Sequence, residues 1–161
     1  MKENIDNKLP AQTHMEKTIA HFVEKTLAEG GSGIIRLMKP SFVDCNITNK
    51  TLTMRYYVED WELNPQGSMH GGLIATSFDN TFGLLTHYFA ENNFITTVEL
   101  ATRYLKPIPK GCHVLIKAKI CSIGRTISSL SGEAYIEETD TLASVSNSTF
   151  MILRNKNSQL S

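Results

Sequence analysis

The hydrophobic pattern of this chain changes period twice. Met15, Ile19, Phe22, Val23 and Leu27 recur at helical spacing, which predicts an amphipathic helix with Thr13 and Glu16 placed as a capping box at its start. Gly30, Gly31 and Gly33 predict its end. Strands are then expected at Ile34 to Met38, Val43 to Thr48 and Thr51 to Val58, the last two joined by a turn at Asn49-Lys50. A loop containing Asn64-Pro65-Gln66-Gly67 leads to the second helix, residues 71 to 90, reading GGLIATSFDNTFGLLTHYFA. After it the period falls to two: Val114, Ile116, Ala118 and Ile120 alternate with Leu115, Lys117, Lys119 and Cys121. Strands are expected at 94 to 106, 113 to 122, 126 to 138 and 141 to 153, with turns at Pro107 to Gly111, Gly124-Arg125 and Thr139-Asp140.

Antiparallel hairpins flanking one helix that is apolar almost all round imply an α+β domain whose sheet wraps around that helix. On a helical wheel, Leu73, Ile74, Phe78, Phe82, Leu84, Leu85, Tyr88 and Phe89 cover about half the circumference. Ala75, Asp79 and Gly83 form a line of small residues on the other side, where a ligand or a second subunit can approach the backbone. Residues 1 to 12 read as a frayed tail and 13 to 161 as one domain.

Composition narrows the partners. Sixteen basic and sixteen acidic residues give no net charge, which argues against nucleic acid or an anionic membrane held by bulk electrostatics. Cys45, Cys112 and Cys121 are odd in number and lack CxxC spacing, against both a disulfide framework and a zinc site. The polar start MKENIDNKLPAQ has no apolar signal core, so a cytoplasmic protein is expected. The second helix is long enough to span a bilayer, but Asp79, Asn80, His87 and its leading glycines favour a buried helix of a water-soluble domain.

Asp79 is the only carboxylate between Gly71 and Ala90. A lone acid in such surroundings is costly and is kept as a hydrogen-bonding strut, a general base or a nucleophile. His70, Gly71 and Gly72 precede the helix, whose free N-terminal amides suit a carbonyl oxygen developing negative charge; the same residues also suit a plain loop-to-helix turn. Eight residues separate Gly71 from Asp79, about 12 Å along a helix, too far for both to reach one carbon. If they cooperate, the Asp comes from a second copy with its helix antiparallel, giving a two-fold dimer with composite sites. No GxSxG elbow, phosphate loop, GxGxxG or HExxH is present, Ser68 and Cys45 lack an identifiable base, and His14, His21, His87 and His113 lack ligand spacing.

The segment from Asn64 through His70-Gly71-Gly72 to Asp79, followed by Thr97 in TTVELATRYLKP, resembles the hotdog-fold acyl-CoA thioesterases of the phenylacetyl-CoA thioesterase-like (PaaI-type) branch. Asn to His is six residues, His to Asp nine and Asp to Thr eighteen, as in that family. The resemblance covers residues 40 to 153 and implies a thioester carbonyl polarised by the Gly71 amide, with His70 shaping the turn. It implies that Asp79 of the partner subunit attacks or activates water, and that Asn64 and Thr97 orient water or thioester, Thr97 standing where relatives often carry Ser. Gly72, Lys106, Pro107, Gly124, Arg125 and Thr126 match positions that bind the substrate, the last five the nucleotide of coenzyme A. No metal and no cofactor beyond the coenzyme A of the substrate is implied, and the assembly implied is a homodimer or a dimer of dimers. Two other functions fit the same pattern: a non-catalytic acyl-CoA-binding module, and a hotdog enoyl-CoA hydratase or dehydratase. Phe78, Phe82, Tyr88 and Phe89 suit either the core or an acyl pocket.

Overall fold

The computed structural model describes residues 8–28, 33–91 and 93–154. Helix α1 (Lys8–Ala28) and a short α2 (Ile34–Met38) precede β1 (Ser41–Asn46) and β2 (Thr51–Tyr57); the central helix α3 (Gly71–Phe89) is followed by β3 (Phe94–Tyr104), β4 (His113–Ile123), β5 (Ile127–Ile136) and β6 (Thr141–Leu153). The strands form one antiparallel sheet in the order β1-β2-β4-β5-β6-β3. One face of this sheet curls around α3, which packs against five of the strands β2 to β6. The sheet wrapped around a helix is the arrangement the hydrophobic pattern predicts.

The helix buries Ile74, Phe78, Phe82 and Leu85, but also Ser77, Thr81 and Thr86. Ser77 and Thr81 are tolerated there because they bond locally, whereas Thr86 Oγ1 has no partner among the described residues. The Ser77 hydroxyl donates to Leu73 O and that of Thr81 to Ser77 O, while the buried Tyr56 hydroxyl donates to Ser77 O at 3.2 Å and meets Thr81 Oγ1 at 3.0 Å. Leu73, Leu84, Tyr88 and Phe89 are only partly buried, and Ala75, Asp79 and Gly83 lie on the helix's open side as the wheel predicts. Closest packing is found at Gly132 of β5, where a Cβ would stand 2.7 Å from Phe82 Cε1 and 3.1 Å from Lys117 O. Gly132→Ala is therefore expected to cost about 1–3 kcal/mol, read as a lower urea midpoint with an unchanged slope.

Two predicted elements differ. Helix α1 starts at Lys8 rather than Thr13, with Pro10 in its first turn where a missing N–H is harmless. Thr13 accordingly does not cap; its hydroxyl donates to Leu9 O, and Glu16 accepts from Gln12. Ile34 to Met38 is a helical turn, not a strand, closed by Lys39 in the left-handed region (φ 45°) whose N–H reaches Ile35 O. The β1 edge is not open to it. Gln12 of α1 donates to Cys45 O at 2.7 Å and accepts from Ile47 N at 2.9 Å, so an amide side chain occupies the outer edge of β1 in place of another strand. Gly30 and Gly31 lie outside the described residues.

The opposite edge is treated differently. Strand β3 is bound to β6 by its ladder and by a row of buried serines, Ser144, Ser146 and Ser148, which donate to the carbonyls of Arg103, Ala101 and Glu99 at 2.8, 3.2 and 2.7 Å. No described strand pairs with its other side, and Phe94, Val98 and Tyr104 along it are 71%, 56% and 53% exposed. An eleven-residue edge with this much apolar surface is an unsatisfied template for another strand.

Candidate active site

The loop Glu59–His70 delivers the N-terminus of α3. Asn64 organises it: Oδ1 accepts from the amides of Gln66 and Ser68 at 2.9 and 3.2 Å, and Nδ2 donates to Ser68 Oγ at 2.9 Å. Glu62 O accepts from His70 N at 2.7 Å. His70 is the N-cap, its Nδ1 accepting from Gly72 N at 3.0 Å, which places its ring proton on Nε2. The Gly72 amide is thus consumed inside the turn. Among the described residues the Gly71 amide has no hydrogen-bond partner, and Gly71 lines a cleft of about 380 Å³ with Asn64, Tyr104, Lys106 and Pro107.

Tyr104 was not foreseen as a site residue. Its hydroxyl donates to Gly71 O at 2.8 Å, and a Cβ on Gly71 would stand 3.1 Å from its Cζ. Glycine at 71 therefore serves ring packing as well as ligand approach. The sequence signal was the aromatic residue two positions before Lys106 at the end of the long strand.

On the third turn of the same helix, the Thr97 hydroxyl of β3 donates to Asp79 Oδ1 at 2.8 Å. Asp79 is half-buried rather than sealed in the core, since α3 leaves this side open. It borders a second cleft, of about 400 Å³, that Gly71 does not line. One irregularity lets β3 serve both clefts. The ladder to β6 shifts register between Thr97 and Glu99, a bulge at Val98. Facing positions run Ile95, Thr97 before it and Leu100, Thr102, Tyr104 after it, so odd-numbered Thr97 and even-numbered Tyr104 both point at α3.

Residues 66–143 match the thioesterase superfamily. That match spans just under half of the chain. A segment of 64 residues is 41% identical to the acyl-coenzyme A thioesterase THEM4 of Xenopus laevis, covering 39% of this chain and 28% of that one. Across the curated relatives it matches, the aligned segment spans 48% or less of their length. In fold, zebra fish thioesterase superfamily member 2 superposes with a TM-score of 0.74 at 17% identity, over 86% of this chain and 98% of that one. A Streptococcus mutans protein whose structure is described as bound to acetyl CoA superposes with a TM-score of 0.62 at 23% identity, over 70% of this chain and 86% of that one. The fold is the hotdog fold.

The structure brings together some expected site residues and separates others. Asp79 meets Thr97, while Gly71, Asn64, Lys106 and Pro107 line the other cleft; His70 and Gly72 bond each other in the turn behind Gly71 and do not line it. Gly124, Arg125 and Thr126 form the β4–β5 turn, closed by Gly124 N on Ile127 O, with Thr126 O accepting from Ile152 N. That turn is at the far end of the sheet from Lys106, whose amide bonds Ala143 O. Nearly the whole of β6 lies between, roughly 30 Å at about 3.3 Å per residue. Lys106 and Arg125 of one chain therefore cannot grip one nucleotide.

The two buried thiols offer no rival nucleophile. Burial pushes both Cys45 and Cys112 up to about 11, so neither is a thiolate near neutral pH. Among the described residues no group of three or more His, Cys, Asp or Glu is placed to hold a metal ion, and no helix is long and apolar enough to cross a membrane.

Glu62 is the one buried carboxyl beside the site, 1% exposed, with Oε2 accepting from Glu59 N at 2.8 Å and Oε1 unpartnered. Burial, aided by the nearby Glu59 charge, raises its pKa, although the Glu59 amide opposes the shift. A carboxyl raised in the folded state favours folding below its unfolded pKa, and that contribution is lost as pH climbs through the folded value. Glu62→Gln is therefore expected to raise Tm relative to wild type at pH 8, with the gain shrinking towards pH 4.

Proposed function

We propose that this protein is an acyl-CoA thioesterase, working as a homodimer with two composite sites. The observation that carries the reading is the division of one chain's machinery into two separate clefts. The Gly71 amide is in one and the Thr97-bound Asp79 carboxylate in the other, about 12 Å apart along α3. A two-fold axis beside the open edge of β3 pairs the two β3 strands and sets the helices antiparallel, so that Gly71 of one subunit faces Asp79 of the other. The contrast between the two sheet edges supports this: Gln12 blocks β1, and nothing described covers β3.

In the composite site the Gly71 amide donates to the thioester oxygen and stabilises the charge that develops there. His70 holds the turn with Nδ1, and Tyr104 fixes the Gly71 carbonyl, so the amide is aimed before substrate arrives. Thr97 holds Oδ1 of Asp79, leaving Oδ2 to take a proton from water as it attacks the acyl carbon. Collapse of the tetrahedral intermediate breaks the C–S bond and releases coenzyme A and the free acid. Asn64 orients the thioester from the Gly71 side, and Lys106 and Arg125 from different subunits meet the phosphates.

Free-thiol release from a panel of short, medium, long and aryl acyl-CoAs tests the reading. Turnover supports it. Acyl-CoA binding without thiol release identifies a binding module instead, and hydration of crotonyl-CoA in preference to its hydrolysis identifies a hydratase.

A further inference from the structure

The open side of α3 continues beyond Asp79. Gly83 and His87 follow at steps of four on the same face, so the line extends about 12 Å from the carboxylate. The cleft of about 400 Å³ along it is walled on one side by Phe22 of α1 and Ile35 of α2, and on the other by Ile95 of β3 and Phe150 of β6. Gly83 is its floor. A Cβ there would stand 3.8 Å from the Phe150 ring, an ordinary contact, so neither crowding nor backbone conformation demands glycine. What glycine keeps is open space.

Behind this cleft lies a void of about 10 Å³ that shares Phe22, Ile35, Asn80 and Leu84 with it. The Asn80 Nδ2 is buried at that seam without a hydrogen-bond partner. A buried donor left unpaired among apolar side chains is costly, and a void of this size holds about one water. The seam is therefore less completely packed than the core around Gly132.

We infer that this cleft is the acyl-binding groove and takes an unbranched, medium-length acyl chain, with the N-terminal helices α1 and α2 supplying the wall that sets chain preference. The inference rests on the thioesterase reading, because the groove begins at the carboxylate assigned to that reaction. Between Asp79 at one end and His87 at the other, its lining is apolar except for Asn80, as an alkyl chain requires. Its length exceeds one aromatic ring, which would fill only part of it. His87, with Nδ1 3.2 Å from Asn93 O, closes the far end with a polar group. Phe22 and Ile35 lie outside the family match at 66–143, so this wall belongs to the N-terminal segment. The acyl chain then lies on the Asp79 subunit and the coenzyme A thiol end on the Gly71 subunit.

The test compares kcat/KM for acetyl-, octanoyl-, dodecanoyl- and phenylacetyl-CoA in wild type, Gly83→Leu, which fills the floor, and Phe22→Ala, which removes part of the wall. The octanoyl-to-acetyl ratio is expected to fall at least about tenfold in Gly83→Leu, and the optimum to move towards dodecanoyl in Phe22→Ala. Calorimetric binding of octanoyl-CoA and of free coenzyme A to Asp79→Asn, with and without Gly83→Leu, gives a readout independent of turnover. The preference for octanoyl-CoA is expected to vanish when the floor is filled. Unchanged chain-length profiles and binding preference in folded dimers overturn the groove while hydrolysis stands. A wild type that prefers phenylacetyl-CoA overturns the chain class. If wild type hydrolyses nothing, the thioesterase reading fails, and the binding arm still decides whether the groove holds an acyl chain.

Discussion

Asp79→Ala is expected to form a folded dimer that releases thiol from acyl-CoA at least about a thousandfold more slowly than wild type, a loss of about 4 kcal/mol of transition-state stabilisation. The size follows from the role. Thr97 donates one hydrogen bond to this carboxylate, and no other titratable group lines its cleft except His87, two helical turns away. Nothing nearby can take over proton abstraction. Asp79→Asn separates charge from architecture, because its amide oxygen can still accept from Thr97. It should retain the wild-type Tm more closely than Asp79→Ala and remain as inactive. An Asn variant with near wild-type turnover would reduce Asp79 to a strut and end the mechanism.

The second large effect is recovery of activity from two dead proteins. Gly71→Leu places a branched side chain over the amide that binds the thioester oxygen; its Cβ meets only the exposed Tyr104 ring, which can swing aside. Each of Gly71→Leu and Asp79→Ala is expected to be nearly inactive as a homodimer. In a heterodimer one site inherits both defects and the other neither. Random mixing makes about half the dimers mixed, each with one intact site of two, so about a quarter of wild-type activity returns. Sites contained within single chains would return none. Thiol release after co-expression or joint refolding, against the separately prepared homodimers, distinguishes the two outcomes.

Much of the architecture was legible because burial imposes periodicity. The shift from period 3.6 to period two placed α3 and all four strands of the second half to within a few residues. Ile34 to Met38 was misread for a reason local pattern cannot supply. Five mostly apolar residues suit a strand or a helical turn, and the choice fell to the turn because Gln12, distant in sequence, already fills the sheet edge. Ser77 and Thr81 were invisible as core residues, since their burial depends on bonds to the backbone and to Tyr56.

The candidate site divides in the same way. Sequence alone determined that a single acid stands eight residues into an apolar helix behind His-Gly-Gly, and therefore that one helix cannot bring both groups to one carbon. It also determined the small-residue line that leaves Asp79 reachable, because a helix's face follows from residue spacing. Only the tertiary structure decided which strand residues meet that helix. The extra residue at Val98 reverses the facing of everything after it, and this brings Thr97 to Asp79 and Tyr104 to Gly71 from one strand. A bulge arises from how two strands align, and that alignment is a property of the pair, written in neither strand alone.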